Sequence, residues 1–417
     1  MTLASQGGTP ARIQPLPDVN DARGRTLGEE EIAAARRVIE SGTLWRVTGH
    51  EASLLEGEFA ELIGSRHCVA STSGTAALHL AVAALGLEPG DEVIVPPITD
   101  FGTVIAVLAC NAVPIFADVD PETGCLTAAS VAARITARTR AVIVVHLFGG
   151  PADVDAIVNT CRPRGIRVIE DCAQAYLTVP PGGSGYAGTR GDIGCFSLQQ
   201  SKHITAGDGG LTVTEDVDLA RRMRLFADKG WPRETGERTH LSYGVNYRMT
   251  DLTAAVAREQ VRKLHGVVEA RRAVARALSA SLGGLPGLTV VKDPAIERHS
   301  FWLYPMLLDQ AVVGIDHHRF AAELTAEGIP VTAGYLVRPV HLVPALTERR
   351  IFGSHGFPLT SPPADRDVHY AAGDCPIAES MVGETLLPLP CNERFEPGDV
   401  RDLVHAVAKI HAWAATA

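Results

Sequence analysis

The chain has 417 residues, 46% hydrophobic and 21% charged, a balance that builds a sizeable core and excludes a disordered chain. Its 38 Lys+Arg against 48 Asp+Glu leave a formal net charge of −10, which argues against nucleic acid or an anionic membrane as partner, because phosphates need clustered cations. The eight cysteines never stand at CxxC spacing, so they read as buried reduced thiols rather than a zinc ribbon or redox motif, and no metal site is expected. The opening MTLASQGGTPARIQPLPD has no apolar stretch of the signal-peptide kind, and no apolar run is long enough to span a bilayer; a cytoplasmic protein is expected.

Residues 1–25 are rich in Pro, Gly and polar residues and read as an N-terminal arm. Apolar spacing predicts helices over 29–42 and 54–64. Short β-rich runs then alternate with helical stretches. The runs fall at 91–97, 112–120, 140–149, 166–173, 192–198 and 210–214, with helices at 74–86, 103–111, 127–136 and 151–165. This alternation implies a mostly parallel sheet with helices on both faces, whose ligands bind at the carboxyl ends of the strands. A long amphipathic helix over 251–284 leaves this unit, and another closes the chain. The expected division is a large domain over 26–260 and a smaller one over 261–417.

Four features in the large unit carry chemistry. Ser73-Gly74-Thr75 is a small-residue turn between a β-like run and a helix; exposed N–H groups and the helix dipole there make an anion cup, although Ser is also an ordinary N-cap. Glu170-Asp171 ends the run IRVIED, where a carboxylate can hold a protonated ring nitrogen or simply cap a helix. Lys202 follows Ser197 at Ser-x4-Lys spacing in FSLQQSKHITAGDGG. In an apolar, hydroxyl-bearing setting its amine can lose its proton and condense with an aldehyde, whereas a lysine taken alone is more often solvated. Asn246 and Arg248 in GVNYRMT stand two apart on an extended segment and point the same way. In this order the features match a pyridoxal phosphate site. Gly183 to Gly188 fit GxGxxG, but without the strand before and helix after that a dinucleotide fingerprint needs; the stretch reads as a loop. His317-His318 reads as a solvated helix face.

The segments SGTAALHLAVAALGLEPGDEVIVPP, ADVDPETG, VVHLFGGPADVDAI, VIEDCAQA, GTRGDIGCFSLQQSKHITAGDGG and NYRMTDLTAAVAREQ resemble the DegT/StrS family of sugar aminotransferases over residues 26–412. The resemblance implies the type I pyridoxal phosphate-dependent aminotransferase fold: a large α/β domain with a mixed, mostly parallel sheet, and a smaller C-terminal α+β domain. It also implies roles. Lys202 would hold the cofactor and Asp171 would pair with its ring nitrogen. Gln174 would lie by the ring hydroxyl, and Gly74, Thr75 and Ser197 would bind the phosphate. Asn246 or Arg248 would reach the site of a second subunit, which makes a homodimer with shared sites.

Two departures touch the substrate side. PPITDFGT places Asp100 where the family commonly has an aromatic residue that stacks on the ring, so either Phe101 stacks or Asp100 meets ring or substrate. Gly150 stands where many relatives have Gln. Asp100, His203, Trp231, Tyr335 and His341, with Trp302, are candidate substrate-facing residues. The implied reaction moves an amino group from glutamine or glutamate to a keto-sugar or keto-cyclitol, in amino-sugar or aminoglycoside-type antibiotic biosynthesis. Sugar dehydration and a non-catalytic, cofactor-binding regulator are the alternatives; dehydratase members carry His in place of the lysine, and Lys202 is present.

Overall fold

A computed structural model describes residues 2–183 and 185–416. Helices α1 (Glu29–Ser41) and α2 (Glu51–Ile63) lead into β1 (His67–Ser71). There follow α3 (Gly74–Ala84), β2 (Glu92–Val95), α4 (Phe101–Ala109), β3 (Val113–Phe116), α5 (Ala128–Ala132), β4 (Thr139–Val145), α6 (Val154–Cys161), β5 (Arg167–Asp171), β6 (Ile193–Ser197), β7 (Gly210–Thr214) and α7 (Val217–Ala227). The seven strands form one sheet in the order β1-β7-β6-β5-β4-β2-β3. β7 runs antiparallel to both its neighbours, and the other pairings are parallel. β2, β6 and β7 are buried along their whole length, as expected of strands covered by helices on both faces. This is the α/β architecture with a mixed, mostly parallel sheet expected above.

Local chemistry sets the element ends. The helix expected at 103 begins at Phe101, because the Asp100 carboxylate accepts the Gly102 N–H at 2.8 Å and caps it. α6 is shorter than the 151–165 expected: Asp153 caps its start, and its last residue precedes a 3₁₀ turn containing Pro163. α7 was not anticipated; Asp216 caps it by accepting from Asp218 and Leu219.

Helix α8 (Asp251–Leu282) is 32 residues long, about 48 Å at 1.5 Å per residue. Its first half, through Ala254, Ala257, Val261, Leu264 and Val268, packs with Phe59, Tyr176 and Phe196. Its second half, through Val274, Ala275, Leu278 and Leu282, packs against the antiparallel pair β8 (Leu288–Val290) and β9 (Met306–Leu308) and the terminal helix Pro397–Ala414. One helix therefore belongs to two cores.

Two segments cross between these units. The N-terminal arm buries Leu3 and Leu16 in the small core. Its Ala4 and Ala11 N–H groups donate to buried Glu327 at 2.9 and 2.8 Å, and Glu327 pairs with Lys409 at 2.7 Å. Val340, Leu346, Leu359, Tyr370 and Val382 lie beyond residue 260 yet join the large core. Among the described residues, no helix is long and apolar enough to cross a membrane.

Candidate active site

The ends of β1, β5 and β6 and the starts of α3 and α4 converge. Ser73 caps α3, its Oγ accepting the Ala76 N–H at 3.0 Å. A Cβ on Gly74 would sit 2.7 Å from the Ser197 Cβ and 2.8 Å from its Oγ, so only glycine lets the start of α3 close onto the end of β6. A Cβ on Gly102 would come within 2.7 Å of Thr75 Oγ1. Two helix N-termini thus open side by side, with Thr75 and buried Ser197 between them. Their positive ends and hydroxyl donors are the parts an anion needs.

β5 sends its last two acids to opposite faces, as successive strand residues must point. Glu170 is fully buried; it takes the His146 Nε2 hydrogen at 3.0 Å and the N–H groups of Gly188, Arg190 and Gly191 at 2.8, 2.7 and 2.6 Å. Burial alone would raise its pKa, but these partners outweigh it and hold the carboxyl below its usual value. Glu170 is therefore a structural clamp on the 188–191 turn. Asp171 faces α4. Its Oδ2 accepts from Thr103 Oγ1 at 2.8 Å and its Oδ1 from the Ala173 N–H at 3.1 Å. Thr103 is in turn 2.7 Å from Thr99 Oγ1. Burial raises the Asp171 pKa despite these bonds and the pull of Lys202. Such a carboxylate is short of cationic partners, and a ring N–H⁺ would supply one.

Lys202 stands on a turn whose N–H donates to the Gln199 carbonyl at 2.9 Å. Its side chain is half-buried, with Nζ 4.2 Å from the Trp302 ring centre. Burial lowers its pKa against the opposing charges of Asp171 and Asp100, the direction a nucleophilic amine requires. Trp302 is fixed from behind, its indole N–H donating to the Ser201 carbonyl at 2.7 Å. Tyr335 meets Trp302 and Phe148 edge-on, with ring centres 5.9 and 5.0 Å apart. The Gln174 amide is held at both ends, its Oε1 accepting the Phe148 N–H at 2.7 Å and its Nε2 donating to the Tyr335 hydroxyl at 3.1 Å. Lys202, Asp171, Gln174, Tyr335 and Asp100 thus share one cleft. Asp100 is exposed at its rim and Phe101 is half-buried beside it. A Cβ on Gly150 would meet His299 Nε2 at 3.1 Å, so the small residue there makes room for that imidazole.

Five other expected residues stand elsewhere or are otherwise occupied. His203 and His341 are fully buried: their Nε2 atoms lie 2.9 Å from the Ser300 carbonyl and 3.1 Å from Glu379 Oε1. Burial drives the His203 pKa far down, so this ring is a neutral packing group and neither imidazole faces the cleft. Trp231 instead stacks under the Arg233 guanidinium at 3.4 Å and, with Arg46, Arg224 and Arg248, lines a separate cavity of about 410 Å³. Arg248 is ion-paired with Asp228, which Arg233 also engages at 2.7 Å, and Asn246 is exposed.

The Gly183–Gly188 loop, whose Ser184 lies outside the described residues, runs towards β6 rather than a helix. Of the two adjacent histidines, His317 is buried, its Nε2 3.2 Å from the Val382 carbonyl, rather than solvated. His146, Glu170 and Cys172 cluster closely enough to suggest a metal site. Glu170 is committed to four donors, and His146 Nδ1 accepts the Ala152 N–H at 3.1 Å, so those lone pairs are engaged. Thr103 and Thr99 were the residues missed. Thr103 lies in the first turn of α4 and Thr99 just before its capping Asp100, so two threonines four apart astride a helix start were the available signal.

A model of the family described as "DegT/DnrJ/EryC1/StrS aminotransferase family" matches residues 25–408. The chain is 33% identical to the L-glutamine:2-deoxy-scyllo-inosose aminotransferase of Streptoalloteichus tenebrarius, covering 98% of this chain and 97% of the relative. It is 35% identical to the UDP-N-acetyl-3-dehydro-alpha-D-glucosamine 3-aminotransferase of Acidithiobacillus ferrooxidans, over 90% and 92% of the two chains. Its structure matches that of the aminotransferase TlmJ from Streptoalloteichus hindustanus with a TM-score of 0.80 at 32% identity, over 93% and 97% of the two chains. The chain belongs to the DegT/DnrJ/EryC1/StrS aminotransferase family.

Proposed function

We propose that this protein is a pyridoxal phosphate-dependent aminotransferase that takes an amino group from glutamine or glutamate and delivers it to a keto-sugar or keto-cyclitol, in amino-sugar or aminoglycoside-type antibiotic biosynthesis. The observation that carries the reading is the Lys202 amine, half-buried over Trp302 and facing the carboxylate of Asp171. Relatives named for a 2-deoxy-scyllo-inosose ketone and a 3-dehydro amino sugar support the acceptor class, and the first is named for glutamine as donor.

The residues fit the cofactor. Gly74, Thr75, Ser197 and the α3 N-terminus would hold its phosphate. Asp171, positioned by Thr103, would keep its ring nitrogen protonated. Gln174 would stand by its ring hydroxyl, with Phe101 or Trp302 against the ring. When bound, the cofactor supplies an electron sink for the carbon losing its proton. Lys202 does the proton work. It would hold the cofactor at rest, and its freed amine would take the proton from the donor α-carbon as base and give it back as acid. Asp100, Tyr335 and Trp302 would shape the acceptor pocket. We further assign a homodimer in which Asn246 or Arg248 completes the neighbouring site. With seven of eight free cysteines buried, a reducing cytoplasm suits the protein.

The test is the visible spectrum of the protein loaded with pyridoxal phosphate, before and after glutamine or glutamate. The expected result is a band that bleaches with one donor and is absent in Lys202→Ala. A band untouched by either donor would sink the aminotransferase reading.

A further inference from the structure

The turn bearing Lys202 is held largely from outside the sheet. The Ser201 carbonyl is taken by Trp302, and His203 Nε2 donates to the Ser300 carbonyl. Gln200 Nε2 donates to the Val19 carbonyl at 2.6 Å. The Lys202 carbonyl accepts from Arg25 Nη1 at 2.9 Å. Arg25 is the last residue of the arm, 177 positions away in sequence, and is only 3% exposed.

Burying a guanidinium is costly unless its donors are used. Arg25 Nε and Nη2 nonetheless have no partner, and neither do His203 Nδ1 and Glu393 Oε1 nearby, among the described residues. Burial lowers the Arg25 pKa and Glu393 alone pulls it back, against the like charge of Arg271. Arg271 is itself occupied, by Glu393 at 2.7 Å and by the carbonyls of Phe301, Trp302 and Cys391. The arm's backbone is pinned at the same spot, the Gly24 carbonyl accepting from Asn392 Nδ2 at 3.1 Å. Fold stability alone gives no reason to keep an under-paired cation here, since an apolar side chain of the same volume would cost less. The single strong bond it makes is to the backbone of the reactive lysine.

We propose that Arg25 is a positioning residue for Lys202: it fixes the lysine's main chain so that only the side chain moves during turnover, and it makes the N-terminal arm part of the active site. The proposal rests on the reading of Lys202 as the cofactor lysine. The Nζ atom must swing between holding the cofactor and carrying a proton. A main chain free to shift by an ångström would spoil both geometries.

The experiment compares Arg25→Ala and Arg25→Lys with Arg12→Ala, which removes a different anchor of the arm, its ion pairs to Asp399 and Asp402 at 2.7 and 2.9 Å. Arg12 does not contact the lysine turn. Three quantities are read: the pyridoxal phosphate concentration that half-saturates the visible band, the split between kcat and KM for glutamine, and the melting temperature.

For Arg25→Ala the half-saturating concentration should rise and kcat should fall, each about tenfold or more, the size of one lost charged-donor hydrogen bond. KM should stay within about twofold, and added guanidinium ion should restore part of both losses. Arg25→Lys should fall between, because it keeps the charge without the planar fork; it stands in if Arg25→Ala does not fold. Arg12→Ala should leave band and kcat near wild type. Wild-type behaviour in the Arg25 variants overturns the proposal. So do equal losses in Arg12→Ala that track the melting temperature, or a loss that guanidinium does not relieve. A wild-type protein with no band would instead overturn the cofactor reading itself, before Arg25 is at issue.

Discussion

Adjacent carboxylates at the end of β5 have opposite duties, and substitutions should separate them. Asp171→Asn keeps shape and loses charge, so the fold should survive while kcat falls by roughly a hundredfold or more; a loss under about fivefold would remove the ring-nitrogen role. Glu170→Gln instead turns an NH2 group toward donors in a buried site and should cost about 2–4 kcal/mol of stability. The pH dependence has a definite sign. The Glu170 carboxyl is held below its ordinary 4.5, so its contribution is complete above about pH 4.5 and is lost as pH falls through the lower folded value. Acid unfolding followed by circular dichroism should therefore be shallower for Glu170→Gln. The sequence marked both acids without dividing their labour. Alternation along the strand separates them, but which face meets the cleft depends on α4, whose Thr103 is 68 positions away.

Among the elements, most of the strand and helix order up to β7 was readable, though not α7, because the strands are apolar and bounded by turn residues, and many helices begin at a capping Ser, Thr or Asp. The sheet order was not, since pairing β7 between β1 and β6 depends on contacts distant in sequence. The same holds for His203 and His341: nothing in their local sequence distinguishes a pocket imidazole from one sealed against a carbonyl or a carboxylate. Asp100 illustrates a mixed case, because its capping of α4 is an ordinary Asp habit, while its proximity to Lys202 arises from packing. One close fit in the site is Gly74 against Ser197. Gly74→Ala should weaken pyridoxal phosphate binding by about tenfold or more, because the added methyl overlaps the Ser197 side chain. Adding Ser197→Gly should recover the melting temperature but not the affinity, since the hydroxyl goes with the clash.

Across the molecule, α8, the arm and residues 340–382 tie the two cores together, so neither unit is closed on its own. If Arg248 serves the neighbouring site, two inactive variants should rescue each other. Lys202→Ala mixed with Arg248→Ala, after dissociation and reassociation, would form hybrids with one intact site, and activity should return to roughly a quarter of wild type. No recovery, with hybrids verified by mass, would mean that each chain builds its site alone. Within the chain shown, Arg248 is engaged by Asp228, so the exposed Asn246 is the other variant to pair with Lys202→Ala.

The strand that parts Glu170 from Asp171 also constrains how the gene can change length. Deleting or inserting one codon within 167–171 would turn each acid onto the other's face, offering the cleft a residue meant for the turn and the turn a residue meant for the cleft. Both losses would arrive in one event, with no partial form between. Length changes tolerated by this lineage should therefore gather outside β5, in loops such as 179–183, and leave 167–171 uninterrupted.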